Sequence, residues 1–380
     1  MKIKVKEAKT SIEKLESFGQ SVWLDYIQRN MIRSGQLKNL IEHYGIRGVT
    51  SNPAIFEKAI DESNDYDDDI NQLVRQGKNA HEIYEILTVQ DIKEAADVFR
   101  ALYERTQGQD GYVSLEVSPH IAHETETTIK EARRLWKKVG RPNVFIKIPA
   151  TVEGLPAICQ CISEGINVNI TLIFGLPIYM KVANAYIEGL ELRLEQGQSI
   201  KTVTSVASFF LSRIDVLVDK MLEDAIERGN HPDIAQSLHG QIAISCAKVA
   251  YQMYKEIFGS ERFRKLAEKG ARPQRLLWAS TSTKNPSYSD IKYVEPLIGP
   301  QTVNTMPMVT VEAYQDHGKP ANRLEEGAAQ ADHLLARLSE VGMSLDKIAD
   351  QLEAEGIEKF IKPYDSLISK LNEKSKRKDF

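Results

Sequence analysis

Short apolar runs alternate with longer amphipathic stretches along most of this chain. The runs are rich in Val, Ile, Leu and Phe and are bounded by Gly, Pro, Asn or Ser, a pattern that predicts buried strands. An amphipathic stretch at residues 5–19 predicts a helix, and the first strand follows as Ser21-Val22-Trp23-Leu24-Asp25-Tyr26-Ile27. A helix over 34–45 is closed by a glycine. The second strand, Gly48-Val49-Thr50-Ser51-Asn52-Pro53, runs into a turn before proline. Residues 54–107 carry helical periodicity around an acidic patch, too long for one crossover, and so predict an elaborated helical insertion. Further strands are predicted at 111–117, 143–148, 167–174, 203–210, 275–281 and, briefly, 303–306. Helices at 123–140, 153–164, 177–196, 211–228 and 232–258 lie between them. Helices at 322–337, 344–355 and 357–372 follow the last strand, and the tail 374–380 is expected to be solvated and frayed.

Regular alternation of strand and helix argues for parallel strands joined by crossover helices. Eight strands fit an α/β fold of the (β/α)8 TIM-barrel form with additional helices. An open doubly wound sheet is the alternative. There is no Pro/Gly/Ser-rich linker and no repeat of solenoid length, so residues 1–380 are expected to form one barrel domain.

Several strands carry a polar residue that an apolar run does not need. The clearest is Lys147 in Val144-Phe145-Ile146-Lys147-Ile148. A charged amine is costly in such a place, and burial favours its neutral form, which can add to a carbonyl and form a Schiff base. The competing explanation is a strand-end lysine whose head reaches water. Asp25 sits in the first strand and Glu116 in the third; Thr50 and Asn52 end the second. Asn169 and Thr171 lie in the fifth, Ser208 and Phe210 end the sixth, and Ser280 ends the seventh. In a barrel such groups converge on the C-terminal rim. Two carboxyls beside one lysine suit cleavage of a carbon–carbon bond next to a ketone. One takes the proton from the leaving alkoxide; the other serves formation and hydrolysis of the imine through a water. Hydroxyl and amide groups such as Asn52, Asn169 and Thr171 suit the water and the substrate hydroxyls. Arg213 and Lys284, after strands six and seven, suit a phosphate monoester. Arg213 could equally be a helix residue paired with Asp215.

Composition narrows the field. The chain is 42% hydrophobic and 27% charged, as in soluble globular proteins. A net charge of −4 gives no sign of a nucleic-acid or acidic-membrane partner. No apolar run approaches the length of a membrane span, and the charged N-terminus is unlike a secretory signal. Cys159, Cys161 and Cys246 have no zinc or redox spacing, which points to a reducing, cytoplasmic location. There is no phosphate-binding P-loop and no dinucleotide fingerprint. His120 and His123 lie at an i,i+3 spacing, but no further ligands accompany them, so no metal site is expected. Met306, Met308 and the aromatics of residues 251–263 are expected to pack the core.

Taken together the motifs resemble those of the transaldolases, in the longer bacterial form with extra helices. Val49-Thr50-Ser51-Asn52-Pro53, Val113-Ser114-Leu115-Glu116-Val117, Ile146-Lys147-Ile148-Pro149-Ala150-Thr151 and Asn167-Val168-Asn169-Ile170-Thr171-Leu172 occur in the family's order. The resemblance implies a lysine Schiff base at Lys147 and a general acid/base at Asp25. It implies that Glu116 acts through a water held by Thr171. Asn52 and Asn169 would bind the dihydroxyacetone part, with Thr50, Ser208 and Phe210 lining the site and Arg213 and Ser280 holding phosphate. The implied partners are phosphosugars, with no cofactor or metal and with either a monomer or a homodimer. Where shorter members follow the strand-seven serine closely with arginine, this chain has Lys284, a point charge without the bidentate fork. The fructose 6-phosphate aldolases, smaller relatives, generally carry glutamine at the position of Glu116 and tyrosine at that of Phe210. Two other functions remain: a lysine-dependent aldolase for another sugar, and an inactive barrel serving as a scaffold.

Overall fold

The computed structural model describes residues 10–376. Eight parallel strands close into a barrel in sequence order: β1 (Gln20–Leu24), β2 (Gly48–Val49), β3 (Tyr112–Glu116), β4 (Val144–Pro149), β5 (Val168–Ile173), β6 (Ser205–Phe210), β7 (Arg275–Ala279) and β8 (Thr302–Met306). β1 pairs with β8 over its whole length, which excludes the open sheet. Every residue of β4, β5 and β6 is buried, as strands covered by helices on the outside and side chains on the inside must be.

Alternation along the strands sorts the interior into layers. Arg275 on β7 donates to Ser21 at 2.9 Å and to Asp110 at 3.1 Å at the N-terminal end. Above it Trp23, Tyr112 and Phe145 stack with ring centroids 4.4–6.3 Å apart. Gly48 makes room for this layer: a Cβ there would lie 2.7 Å from the Trp23 indole. The residues two or four places further along the same strands, Asp25, Glu116 and Lys147, therefore stand at the C-terminal rim.

Several boundaries differ from those the sequence predicts. The second strand stops at Val49, because Thr50, Ser51 and Asn52 leave the ladder to form the rim. Asn52 then caps the helix Pro53–Asp61 by accepting a hydrogen bond from the Ile55 amide. Residues 54–107 contain three helices, Pro53–Asp61, Asp67–Arg75 and Ala80–Arg105. Arg29 ties the last two to the segment after β1, bonding Asp91 at 2.8 Å and Asp69 at 2.6 Å, with its guanidinium on the Tyr66 ring. The expected helix at 232–258 breaks into Pro232–Leu238 and Ile242–Gly259, since Gly240 takes a left-handed φ of +71°. The helix expected at 322–337 starts only at Ala328.

The two helices expected at 344–355 and 357–372 are one, Leu345–Lys376. Gly356 and Pro363 interrupt the helical pattern in sequence but not in space. A glycine in a helix interior costs about 1 kcal/mol, which packing along the rest of the helix outweighs. This long helix lies against Pro53–Asp61, Ala80–Arg105, Ser212–Glu227 and β5. It thus crosses the C-terminal mouth of the barrel. The helices Arg29–Arg33, Glu261–Ala267 and Met308–His317 were not expected from the sequence. The helix expected at 5–19 is found as Ser11–Ser17, and its first residues lie outside the described residues. The expected frayed tail is helical through Lys376, where Lys374 bonds Asp67 at 2.8 Å, and residues 377–380 lie outside the described residues. Among the described residues, no helix is long and apolar enough to cross a membrane.

Candidate active site

Register puts three of the singled-out residues side by side: Glu116 is opposite Lys147, and Lys147 is opposite Asn169. Lys147 is buried on the inner face of β4. Its Nζ donates to the Ser51 carbonyl at 2.9 Å and stands 3.5 Å from Glu116 Oε2. The amine does not reach past the rim to water; its side chain is only 6% exposed, which removes the snorkelling explanation.

Asp25 follows directly on β1, its amide bonded to Met306 O of β8 and the Thr50 amide bonded to Leu24 O. These two ladder bonds bring Thr50 beside it, and Thr50 Oγ1 donates to Asp25 Oδ1 at 2.7 Å. Thr50 is also 2.7 Å from the Thr305 hydroxyl. Burial pushes the Asp25 carboxyl above its usual value, against the opposing pull of Thr50, Lys147, Arg213 and Lys284. Burial likewise pushes Glu116 up, to about 7, against the charge and hydrogen bond of Lys147. Both carboxyls thus hold protons more tightly than in water, which suits proton transfer.

A cavity of about 300 Å³ opens over this group. Asp25, Thr50, Asn52, Lys147, Thr171 and Ser208 form its floor, and Phe210, Arg213, Ser280 and Lys284 its wall. Two expected residues are not on its lining. Asn169 lies fully buried beneath, accepting from Ser208 at 2.7 Å and donating to Ser114 at 3.1 Å. Glu116 lines a separate cavity of about 180 Å³ with Tyr84, Ser118 and Tyr364, and touches the first through Lys147. Glu116 Oε1 and Thr171 Oγ1 are both buried without a partner. Two such oxygens are expensive unless something bonds them, and they belong to the two residues read as sharing a water. A bulge between Ile170 and Ile173 of β5 sets the Thr171 position, with Leu172 at φ +62°.

Arg213 resolves in favour of the site. Asp215 is already bonded by the Ala243 amide, Tyr293 and Lys292, so it is not the partner of Arg213. The guanidinium instead faces the cavity, 5.4 Å from the Phe210 ring centroid, with Nη1 buried and unpaired. Burial lowers its pKa, while Asp25 and Glu116 oppose the shift. A buried guanidinium with a free N–H is a ready anion site. Ser280, at φ +54°, has its hydroxyl 2.8 Å from that of Ser212, beside Arg213 in the chain. Lys284 is on the rim and donates to Ser282 at 2.7 Å.

Thr281 and Ser282, the hydroxyls between Ser280 and Lys284, also line the cavity, and so do Thr305, Pro307 and Phe360, which sequence reasoning does not single out for the site. Thr305 follows from the closure of β8 on β1; Phe360 comes from the helix Leu345–Lys376 and looks like any core aromatic in sequence. His120 bonds Asp365 and His123 bonds Glu153. Among the described residues no group of three or more His, Cys, Asp or Glu could hold a metal ion.

Comparison with known proteins gives a consistent result. A profile of the transaldolase/fructose-6-phosphate aldolase family matches residues 22–371. A transaldolase of Trichodesmium erythraeum is 50% identical over 96% of this chain and 97% of its own. One from Saccharopolyspora erythraea is 47% identical over 96% and 97%. One from Thiobacillus denitrificans is 44% identical over 93% and 97%.

Proposed function

The chain belongs to the transaldolase/fructose-6-phosphate aldolase family and is an enzyme of the transaldolase kind, and we propose that it works through a Schiff base on Lys147. It moves a dihydroxyacetone unit from sedoheptulose 7-phosphate to glyceraldehyde 3-phosphate, giving erythrose 4-phosphate and fructose 6-phosphate. The place of such a reaction is the non-oxidative pentose phosphate pathway, in the cytoplasm. The observation that carries the reading is the buried Lys147 amine on the cavity floor, flanked by carboxyls that burial has made weaker acids.

In this reading the Lys147 amine adds to the ketose carbonyl, and the carbinolamine loses water to give an iminium ion, an electron sink. Asp25, oriented by Thr50, takes the proton of the hydroxyl on the bond that breaks. The aldehyde leaves and an enamine remains on Lys147. An acceptor aldehyde then adds, and Asp25 returns the proton to its oxygen. Glu116, through a water shared with Thr171, moves the protons of imine formation and hydrolysis. Asn52 and Asn169 serve the dihydroxyacetone hydroxyls, Asn169 through Ser208. Arg213, Ser280 and Lys284 take the phosphate. Phe210 and Glu116 favour transfer over simple cleavage, since the aldolase relatives are expected to differ at both positions.

The test is a coupled assay with fructose 6-phosphate and erythrose 4-phosphate, following glyceraldehyde 3-phosphate. Controls lack the acceptor or carry Lys147→Ala. Product that needs both substrates and is lost in the variant is expected. Equal product without acceptor would mean an aldolase; none at all would return the other-sugar and scaffold functions.

A further inference from the structure

Among the described residues lining the cavity, Phe360 is the one supplied from after the last strand's own connection, by the C-terminal helix. It projects from the helix Leu345–Lys376 and is 5% exposed. Its ring centroid is 5.6 Å from Lys147 Nζ and 5.9 Å from the Arg213 guanidinium carbon. The helix carrying it is seated close. A Cβ on Gly356, one turn earlier, would stand 3.0 Å from Leu172 Cδ2 and 3.5 Å from Arg213 Nη1. Phe210, packed on Phe174 at 5.4 Å, covers Arg213 from its own strand. Lys147 and Arg213 thus share an aromatic ceiling that carries no acidic hydrogen.

That ceiling stands over the nitrogen of the intermediate whose fate separates transfer from cleavage. An enamine on Lys147 has two exits. Its carbon can attack an aldehyde carbonyl, forming a carbon–carbon bond. Alternatively the carbon–carbon double bond takes a proton from solvent and nitrogen becomes an iminium cation. Water then adds to the iminium carbon and the carbon–nitrogen bond breaks, giving dihydroxyacetone and the free amine. The second exit consumes one water overall and needs solvent at the enamine. A ring face that excludes water closes it. The same face, within about 6 Å of the nitrogen, also favours the iminium form of the productive cycle.

Resting on the Schiff-base reading of Lys147, we infer that Phe360 sets the partition of the enamine between transfer to an aldehyde and protonation by solvent. It is a positioning residue supplied by the C-terminal helix. The measurement is a ratio in one protein preparation: dihydroxyacetone released from fructose 6-phosphate without acceptor, divided by the transfer rate with erythrose 4-phosphate. Phe360→Ala is expected to raise that ratio by roughly tenfold, with borohydride trapping of Lys147 retained. Phe360→Leu keeps an apolar side chain of intermediate size and is expected to raise it less. Should the alanine variant fail to fold, the leucine variant alone decides. A structural role would lower both rates and leave the ratio unchanged, and an unchanged ratio in a folded variant overturns the inference. If the parent protein gives no trapped adduct, the Schiff-base reading itself fails. A parent that traps and transfers beside variants of unchanged ratio defeats the Phe360 inference alone.

Discussion

Lys147 and Glu116 face each other across β3 and β4, yet the amine gives its shorter hydrogen bond, 2.9 Å, to the Ser51 carbonyl and keeps the carboxyl at 3.5 Å. The pair is close enough to shift a titration and loose enough to part when the amine becomes an imine. Removing the cation removes the two largest influences that lower the Glu116 pKa, its charge and its hydrogen bond, and leaves only the more distant Arg213 to oppose burial. In Lys147→Met the Glu116 carboxyl is therefore expected to titrate above about 7. Carbon-13 titration of labelled glutamate measures this; an unchanged or lower value would show that the two groups are not coupled.

Glu116 also makes stability depend on pH. Its carboxyl keeps a proton up to about 7 in the folded chain, against a reference value of 4.5. Between those values the folded state binds more protons than the unfolded state, so this group's contribution falls as pH rises through the window and is constant outside it. Glu116→Gln cannot ionise. Relative to the parent it is expected to gain on the order of 3 kcal/mol between the two ends of the window. Denaturant melts at pH 4.5 to 8 supply the difference, and a difference that stays flat with pH would refute the burial of an ionisable Glu116.

Asp25 and Thr50 separate carbon–carbon cleavage from imine chemistry. Asp25→Asn is expected to leave borohydride trapping of Lys147 intact while turnover falls roughly a hundredfold or more, the scale of a lost general base. In Thr50→Val the hydrogen bond that lowers the Asp25 pKa is gone, so the acid limb of the pH–rate profile moves to higher pH. A limb that moves down, or trapping lost in Asp25→Asn, contradicts these roles.

Arg213 should discriminate phosphate from its absence. Arg213→Lys keeps the charge and loses the fork, so kcat/KM for fructose 6-phosphate is expected to drop about a hundredfold, mostly through KM. Activity on unphosphorylated fructose should change little. Parallel losses on both substrates would mean that the guanidinium shapes the site without binding phosphate.

The parts of this molecule that read clearly from sequence are those governed by local pattern. β4, β5 and β6 are largely apolar runs, and Lys147, Asn169 and Ser208 within them mark the inner face. Lys147 is the plainest case: its neighbours Ile146 and Ile148 point outward and so fix its own direction. What stayed hidden depends on contacts between distant segments. Arg213 could not be assigned until Asp215 was seen bonded by Lys292 and Tyr293. Thr50 and Asn52 belong to a strand by composition, but the rim takes them out of it. Phe360 is invisible because helical periodicity records that a residue is apolar and not what it covers. Gly356 was misleading for a related reason: it looks like a helix end and in fact allows close approach to Leu172.

The helix Leu345–Lys376 has a consequence for how the protein assembles. All eight strands precede it in the chain, and the elements it lies on, from Pro53–Asp61 to Ser212–Glu227, are widely separated in sequence. Contacts of such long range form late, after the loops between them have been closed. Closing β1 on β8 spans a similar range, so barrel closure and the docking of this helix are both late steps, and catalytic competence should lag behind secondary structure during refolding. Until the helix is in place Lys147 would lack the Phe360 side of its cavity, so docking it completes the protein's chemistry as well as its shape.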